Sequence, residues 1–268
     1  MSWAAEERQF IDYVVSSWED PRQYRYLSAL ARRDIGSAPH NGTLKDASEK
    51  YLWRNESFAD AMERTTQMSA NLLVAPSEVN ACHALHHQCL TILEWGGLPG
   101  VSSKWLREMC DRQKLRAKIN SAVTALTSGS QLEQFDGVEL PMNSGMTKIY
   151  ALAAPDHLII YDGRVGAALG LLARRSIFGG QGEVPQSLRF PWGSGQGKYT
   201  QRAVSRRNPS LNGLTFPYFD DKDQSHAVWC HQASRLLREV RSQLSSGVTL
   251  RQIEMGLFMV GYAVNGLE

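Results

Sequence analysis

The stretch MTKIYALAAPDHLIIYDGRVGAALGLLARR, residues 146–175, decides the fold class of this 268-residue chain. Its first nine residues are mostly apolar and stop at Pro155, which predicts a short helix at 146–154. After the apolar run LIIY, a second helix is predicted from about Asp162, since aspartate is a preferred N-cap residue. Two helices in thirty residues favour a mainly α protein.

The rest of the chain has the same helical character, with no alternating strand series and no internal repeat. Further helices are predicted at 4–18, from about 43 to 73, at 76–95, from 102 to 127, at 225–245 and at 249–262. A loop is expected at 36–43, where Asn41-Gly42 is a turn signal, and a long irregular region at 178–224. Because the Gly96-Gly97 pair stops a helix, we divide the chain into an N-terminal helical part at 1–96 and a second part at 97–268. We expect the two parts to form one compact unit.

Composition excludes several classes of protein. With 43% hydrophobic and 9% aromatic residues the chain can bury a core, so intrinsic disorder and fibrous repeats are excluded. The apolar runs are far shorter than the roughly 20 residues of a membrane helix. Residues 1–20 are acidic and lack the apolar core of a secretory signal, and four cysteines are too few for a disulfide framework. We therefore expect a cytoplasmic protein without a membrane association.

The net charge of +2 hides one concentrated basic segment, residues 164–207. This segment holds eight basic residues against the single acid Glu183, a net charge of +7, while the rest of the chain carries −5. The basic residues are Arg164, Arg174, Arg175, Arg189, Lys198, Arg202, Arg206 and Arg207. Such clustering predicts binding to a polyanion. The alternative is a long surface loop whose charges are merely solvated.

Glycine and aromatic residues are interleaved with these charges, as in FGGQGE at 178–183 and RFPWGSGQGKY at 189–199. Glycine lets backbone N–H groups approach an anion, and arginine offers forked donors to a phosphate. Trp192 can stack on a base or simply anchor the loop. For contact with nucleic acid we select Asn143, Arg164, Arg189, Trp192, Lys198, Arg202, Arg206 and Arg207. By position, Phe178, Trp192 and Asn143 are candidates to read a base.

The residues around Lys148 and Asp162 form a pattern: a loop GVELPMNSG at 137–145, then Thr147-Lys148 opening a helix, then Asp162 at the next helix start. This pattern resembles the helix–hairpin–helix DNA glycosylase superfamily, most closely its 8-oxoguanine DNA glycosylase-like branch. The stretch ILEWGG at 92–97 is similar to bacterial members of that fold. The resemblance implies two helical lobes around a cleft, with the long basic, glycine-rich loop added to them. The stretch 97–104, GLPGVSSK, also has the form of a compact hairpin, but no aspartate follows at a suitable interval, so we interpret it as a helix connection.

The resemblance assigns Lys148 as the nucleophile and Asp162 as its acid/base partner. Breaking a glycosidic bond develops positive charge on the sugar, which a nearby carboxylate stabilises. A lysine can attack C1′ of the sugar and form a Schiff base when burial favours its neutral amine. Structural alternatives remain open for both residues. Lys148 can be a surface lysine with a buried stem, and Asp162 can be only a helix cap.

The expected function is therefore that of a DNA N-glycosylase, a hydrolase, which flips a nucleotide out of the duplex and excises its base. The enzyme is either monofunctional or also an AP lyase. Its partner is double-stranded DNA that contains an oxidised base or a bulky modified base, the latter in antiviral defence against phage DNA. We expect a monomer that needs no cofactor. The alternative is a non-catalytic helical module that binds DNA or a phosphorylated partner.

Two other kinds of site were considered. Cys82, His83, His86, His87 and Cys89 share one predicted helix, and their spacing allows zinc, but core cysteines with surface histidines are the simpler interpretation. The sequence SGQGK at 194–198 lacks the full phosphate-loop pattern and a preceding strand, so an ATPase is not expected. We predict no metal site.

Overall fold

Helices dominate the structure, a computed structural model that describes residues 3–25, 40–74, 79–177, 183–194, 206–220 and 222–268. The α-helices in these ranges are α1 Ala5–Glu19, α2 Leu44–Glu49, α3 Phe58–Val74, α4 Val79–Trp95, α5 Ser103–Asp111, α6 Leu115–Ser128, α7 Met146–Ala153, α8 Gly163–Ser176, α9 Asp223–Gln243 and α10 Leu250–Val260. Two 3-10 turns lie at Leu132–Gln134 and Gln186–Leu188. The prediction of a mainly α protein is confirmed.

Two of the predicted helices are each interrupted. The one expected from about 43 to 73 is α2 followed by α3, and the one expected from 102 to 127 is α5 followed by α6. The interruptions contain Arg54, Asn55 and Gln113, whose backbone φ angles of 50°, 71° and 56° are left-handed. None of these residues is a glycine, the strongest sequence signal of such a turn, although asparagine also tolerates left-handed backbone.

A short pair of strands was not predicted. β1 Arg22–Tyr24 pairs antiparallel with β2 His40–Gly42, with Gln23 opposite Asn41. Three residues are too few to show the alternation of apolar and polar residues that identifies a strand. The Asn41-Gly42 pair, expected in a turn, therefore lies in β2.

The contacts divide the chain into two compact units. Unit 1 comprises Met1–Ala59, Asp162–Phe219 and Leu236–Glu268, and unit 2 comprises Asp60–Tyr161 and Asp220–Arg235. This division differs from our predicted boundary at residue 96, because the helices on both sides of that residue belong to unit 2. A glycine pair shows where a helix stops, but it does not show which helices pack together.

In unit 1, α8 is buried along almost its whole length, from Val165 to Arg174. A helix that is apolar on all sides is expected to be surrounded by other elements, and α8 packs against α1 and α10. Glycines allow the closest approaches: a Cβ on Gly256 would lie 2.7 Å from the Leu44 carbonyl oxygen, and one on Gly170 would lie 2.6 Å from Pro209. The position of α8, and of Asp162 at its start, is therefore fixed by dense packing.

Unit 2 is built around α4, which packs against α5, α6 and α7. Its core includes Ile92 and Leu93 of α4, Ile119 of α6, and Ile149 and Tyr150 of α7, all fully or almost fully buried. α7 is thus an internal helix, as its apolar sequence predicts. No helix in the described ranges is long and apolar enough to cross a membrane.

Candidate active site

Lys148 is a buried lysine, with 7% of its surface exposed, in the first turn of α7. Its Nζ donates a hydrogen bond of 2.6 Å to the carbonyl oxygen of Ser144. The start of a helix carries a partial positive charge, so a lysine there does not stabilise the helix through its charge. The burial also removes the first structural alternative, in which Lys148 is a surface lysine with only its stem buried.

Gly96 provides the space that the Lys148 side chain occupies. A Cβ at this position would lie within 2.6 Å of Cε of Lys148 and closer still to its Cδ. Both residues belong to unit 2, and Gly96 follows directly after α4. The second residue of the pair, Gly97, has a left-handed φ of 75° that serves the turn. The two glycines of ILEWGG therefore have different roles, one steric and one conformational.

Asn143 organises the start of α7. Its Oδ1 accepts hydrogen bonds from the backbone N–H groups of Gly145 and Met146, at 2.9 and 3.0 Å. Its Nδ2 donates to Oγ of Ser102, at 3.0 Å. The side chain thus satisfies backbone donors that the helix leaves unpaired. These bonds give Asn143 a structural role, while the contact with DNA that we predicted for it remains a prediction.

A hydrogen bond within unit 2 joins the residues that immediately precede Lys148 and Asp162 in the chain. The Tyr161 N–H donates to Oγ1 of Thr147, at 3.0 Å, and both residues are completely buried. The carbonyl of the same Tyr161 accepts a hydrogen bond of 2.7 Å from Nε2 of His226. Since a carbonyl can only accept, Nε2 carries the hydrogen. Tyr161 is therefore held at both its backbone polar groups.

α9 secures the segment that leads to Asp162. The Ile159 N–H donates to Oγ of Ser234, at 3.1 Å, and the Cys230 thiol lies 3.7 Å from the Ile159 carbonyl oxygen. At the start of α9, a carboxylate oxygen of Asp223 accepts a hydrogen bond of 2.6 Å from the Met142 N–H. One helix thus orders both the loop before α7 and the segment 158–161.

Asp162 caps α8 in unit 1. Its Oδ1 accepts hydrogen bonds from the N–H groups of Arg164 and Val165, at 2.9 and 3.0 Å. No residue in the described ranges donates a hydrogen bond to its Oδ2. The capping role that we considered for Asp162 is therefore confirmed, and it occupies one of the two carboxylate oxygens. A capping role and a chemical role are compatible, because the second oxygen is available.

The backbone around Asp162 is tightly packed. A Cβ on Gly163 would lie 2.6 to 2.9 Å from three backbone atoms of Gly193, and the Gly193 N–H donates to the Gly163 carbonyl, at 3.3 Å. Gly261 approaches the Arg164 backbone so closely that no side chain fits there. Only glycines permit these contacts, which position the first turn of α8.

Two arginines, Arg164 and Arg207, interact electrostatically with Asp162. The Arg164 guanidinium lies 4.3 Å from the ring centre of Phe258, 5.0 Å from that of Tyr262 and 5.5 Å from that of Trp53. The pKa of Arg164 is lowered to about 10, mainly by loss of water contact among these rings and also by the like charge of Arg207, while Asp162 opposes both effects. Burial also lowers the pKa of Arg207, again against the attraction of Asp162. Both arginines remain cations at neutral pH and leave this region with an excess of positive charge.

The other residues that we predicted to contact DNA are either exposed, engaged in the fold, or outside the described residues. Arg189 is exposed, and Arg206 is half-exposed while its carbonyl accepts from the N–H groups of Val264 and Asn265. Arg207 donates to the Gly193 carbonyl, at 3.2 Å, so part of its donor capacity supports the fold. Lys198 and Arg202, with Phe178, lie outside the described residues.

Trp192 is buried, with 5% of its surface exposed. Its Nε1 donates to the Phe216 carbonyl, at 3.2 Å, and its ring makes an edge contact with Tyr218 at 5.1 Å. Of the two roles considered for it, these contacts favour an anchor for the loop over a stacking platform.

The cysteines have the positions that the simpler interpretation of Cys82–Cys89 predicts. All four are buried free thiols, His83 and His87 are exposed, and His86 is half-buried. Within the described part of the chain, no group of three or more histidine, cysteine, aspartate or glutamate side chains could hold a metal ion.

The sequence alone missed four residues of this region: Gly96, Thr147, Asp223 and His226. From the sequence, Gly96 was interpreted as a helix stop and as part of ILEWGG, and Thr147 as opening a helix together with Lys148, but neither was given a contact in the site. Asp223 and His226 lie more than 60 residues further along the chain, and no local pattern connects them to it.

Comparison with known proteins gives no relative for this chain: no family model, no curated protein and no solved structure matches it.

Proposed function

We propose that this protein is a DNA glycosylase, with Lys148 and Asp162 as its catalytic residues. The observation that carries the proposal is the buried Lys148 amine on a helix whose preceding residue, Thr147, is hydrogen-bonded to Tyr161, the residue before Asp162. A hydrogen bond within unit 2 therefore joins the residues that directly precede the two proposed catalytic residues. On this proposal the fold is glycosylase-like, with two helical lobes around a cleft.

The environment of Lys148 supports a chemical role. Burial of a lysine's charge is costly in a protein interior, and the first turn of a helix is an unfavourable place for that charge. In the proposed reaction the neutral amine attacks C1′ of the flipped nucleotide as the bond between C1′ and the base nitrogen breaks. The base leaves with the bonding electrons and takes up a proton. If Lys148 does not attack, water takes its place and the enzyme is monofunctional.

Asp162 provides the negative charge that the sugar requires as it becomes cationic. Its Oδ2 is not used by the cap, so it can face the sugar while Oδ1 holds α8 in place. The nearby cations Arg164 and Arg207 attract a DNA phosphate to the same region. Arg189 is a further exposed cation of unit 1. The proposed substrate is double-stranded DNA with an oxidised or bulky modified base, bound by a cytoplasmic monomer in repair or in antiviral defence.

The direct test is release of free bases, detected by mass spectrometry, from duplexes that carry many different modifications. Asp162→Asn should reduce release by at least about 100-fold, because it removes the charge that stabilises the sugar cation. Asparagine is an equally good N-cap, so stability and DNA binding should change little. Asp136→Asn is a matched control, since Asp136 also accepts two backbone N–H groups, from Val138 and Glu139, and should leave release unchanged.

The role of Lys148 has its own test. Borohydride should trap a covalent complex between the protein and a substrate duplex, and Lys148→Met, which keeps the buried volume, should abolish trapping. Base release without trapping would make Lys148 a positioning residue and the enzyme monofunctional. DNA binding without release from any duplex would contradict the enzyme proposal and favour the non-catalytic DNA-binding module.

A further inference from the structure

Unit 1 contains a cavity of about 810 Å³ between α1 and the C-terminal end of α8. Its lining includes Trp3, Arg8, Gln9, Tyr13, Ser16 and Arg175. The volume is in the range of natural small-molecule sites, which are typically several hundred Å³. Arg175 lies 13 residues after Asp162, and at 1.5 Å per residue the two ends of α8 are about 20 Å apart. The cavity is therefore separate from the proposed catalytic Asp162.

Arg175 contributes positive charge to one wall of the cavity. Its guanidinium donates to main-chain oxygens of Gln23, at 2.9 Å, and Glu268, at 2.8 Å. No side-chain carboxylate in the described ranges forms an ion pair with it, and burial lowers its pKa. Arg8, an exposed residue of α1, lines the same cavity. The lining side chains thus include two cations and one carboxylate, that of Asp12, and this excess of positive charge favours an anion.

The aromatic and polar side chains of the cavity indicate which further chemical groups a ligand would carry. Trp3 and Tyr13 provide aromatic surface, and Tyr13 is itself held by the Arg22 guanidinium, 5.5 Å from its ring centre. The Gln9 amide donates to the Ser176 carbonyl, which fixes its orientation at the wall. The carboxylate of Asp12 can accept hydrogen bonds from hydroxyl groups. A flat ring, hydroxyl groups and an anionic group occur together in a nucleotide.

We propose that this cavity binds a nucleoside monophosphate, with the phosphate at Arg8 and Arg175, a sugar hydroxyl at Asp12 and the base against Trp3 and Tyr13. This site would be a second ligand site, independent of the proposed glycosylase chemistry. Its occupant is recognised by the phosphate and by the ring together, so neither inorganic phosphate nor a nucleoside alone satisfies it.

Calorimetric titration of the full chain with AMP, GMP, CMP and UMP tests the proposal. At least one should bind with a Kd below about 1 mM, and the matching nucleoside and inorganic phosphate should each bind at least about tenfold more weakly. Arg8→Ala should weaken binding about tenfold, because it removes a charge-assisted contact from an exposed position without loss of core packing. Arg107→Ala, at an exposed arginine of unit 2, should have no effect.

A second variant fills the cavity. Ser16→Trp should abolish nucleotide binding while circular dichroism and base release remain as in the unmodified protein. No binding of any monophosphate, equal binding of the nucleoside, or unchanged binding by Arg8→Ala would overturn the proposal. Because Asp162→Asn should retain nucleotide binding and Ser16→Trp should retain base release, failure of this site and failure of the glycosylase proposal are distinguishable.

Discussion

At the scale of single residues, glycines determine where the proposed catalytic groups lie. Gly96 leaves room for the Lys148 side chain, and Gly163 lets the first turn of α8 touch the Gly193 backbone. In the first case the neighbour is a flexible side chain, and in the second it is main chain. The two positions should therefore respond differently to the same added methyl group.

Gly96→Ala should displace Lys148 with little effect on the fold. Its backbone φ is not left-handed, so alanine is tolerated there, and the Lys148 side chain can shift away from a Cβ that would lie 2.6 Å from its Cε. We expect base release to fall at least about tenfold, because displacement of a reacting group by about 1 Å is costly. In a Lys148→Met background the same substitution should cause no further loss. An equal loss in both backgrounds would show that Gly96 does not act through Lys148.

Gly163→Ala should instead destabilise the protein. The added Cβ would lie 2.6 Å from the Gly193 carbonyl oxygen, and main chain cannot move aside as a side chain can. A decrease of about 2 kcal/mol in the free energy of unfolding, measured with urea, is expected. If the decrease is under about 0.5 kcal/mol, the contact between Gly163 and Gly193 does not fix the first turn of α8.

At the scale of elements, most helices were predictable and their interruptions were not. α1, α4, α7, α8, α9 and α10 follow from apolar periodicity, capping residues and the stops at Pro155 and Gly96. The breaks before α3 and α6 involve left-handed backbone at Arg54, Asn55 and Gln113, none of which is a glycine that would mark the break in the sequence. The same limit of local sequence applies to the residues of the candidate active site. Lys148 and Asp162 could be selected from local sequence, whereas the contributions of Asp223 and His226 depend on how α9 packs.

The start of α7 offers a test at this scale. Asn143→Ala removes the acceptor for two N–H groups and the bond to Ser102, so the free energy of unfolding should decrease by about 1 kcal/mol. Asn143→Asp keeps the acceptor and should cost less than half as much. Urea denaturation measures both. Base release by Asn143→Asp at the unmodified rate would assign Asn143 to structure, and loss of release without loss of stability would support its contact with DNA.

At the scale of the whole molecule, charge is distributed unevenly. The segment 164–207 carries +7 and the rest of the chain −5. The arginines of this segment have different environments in the structure. Arg174 is buried and donates to the Leu267 carbonyl, and Arg164 packs against aromatic rings. Arg189, by contrast, is exposed. Composition therefore gives the net charge of the segment 164–207 but overestimates how many of its arginines are free to reach a phosphate.

The dependence of DNA affinity on salt concentration tests whether the exposed Arg189 contacts DNA. Arg189→Glu should weaken binding to all sequences alike and reduce the slope of log K against log salt by about 1, the value for one lost phosphate contact. Arg107→Glu, at an exposed position of unit 2, provides the control for a change of net charge. An unchanged slope in Arg189→Glu would show that the exposed part of the basic segment is not the DNA surface.

Base release from a panel of modified duplexes is the decisive measurement of the chemistry at Asp162. The unmodified protein should free one class of modified base, and Asp162→Asn, with its helix cap intact, should still bind the duplex but release the base at least about 100-fold more slowly. Equal release by the two proteins, or no release by either from any duplex, would contradict this prediction.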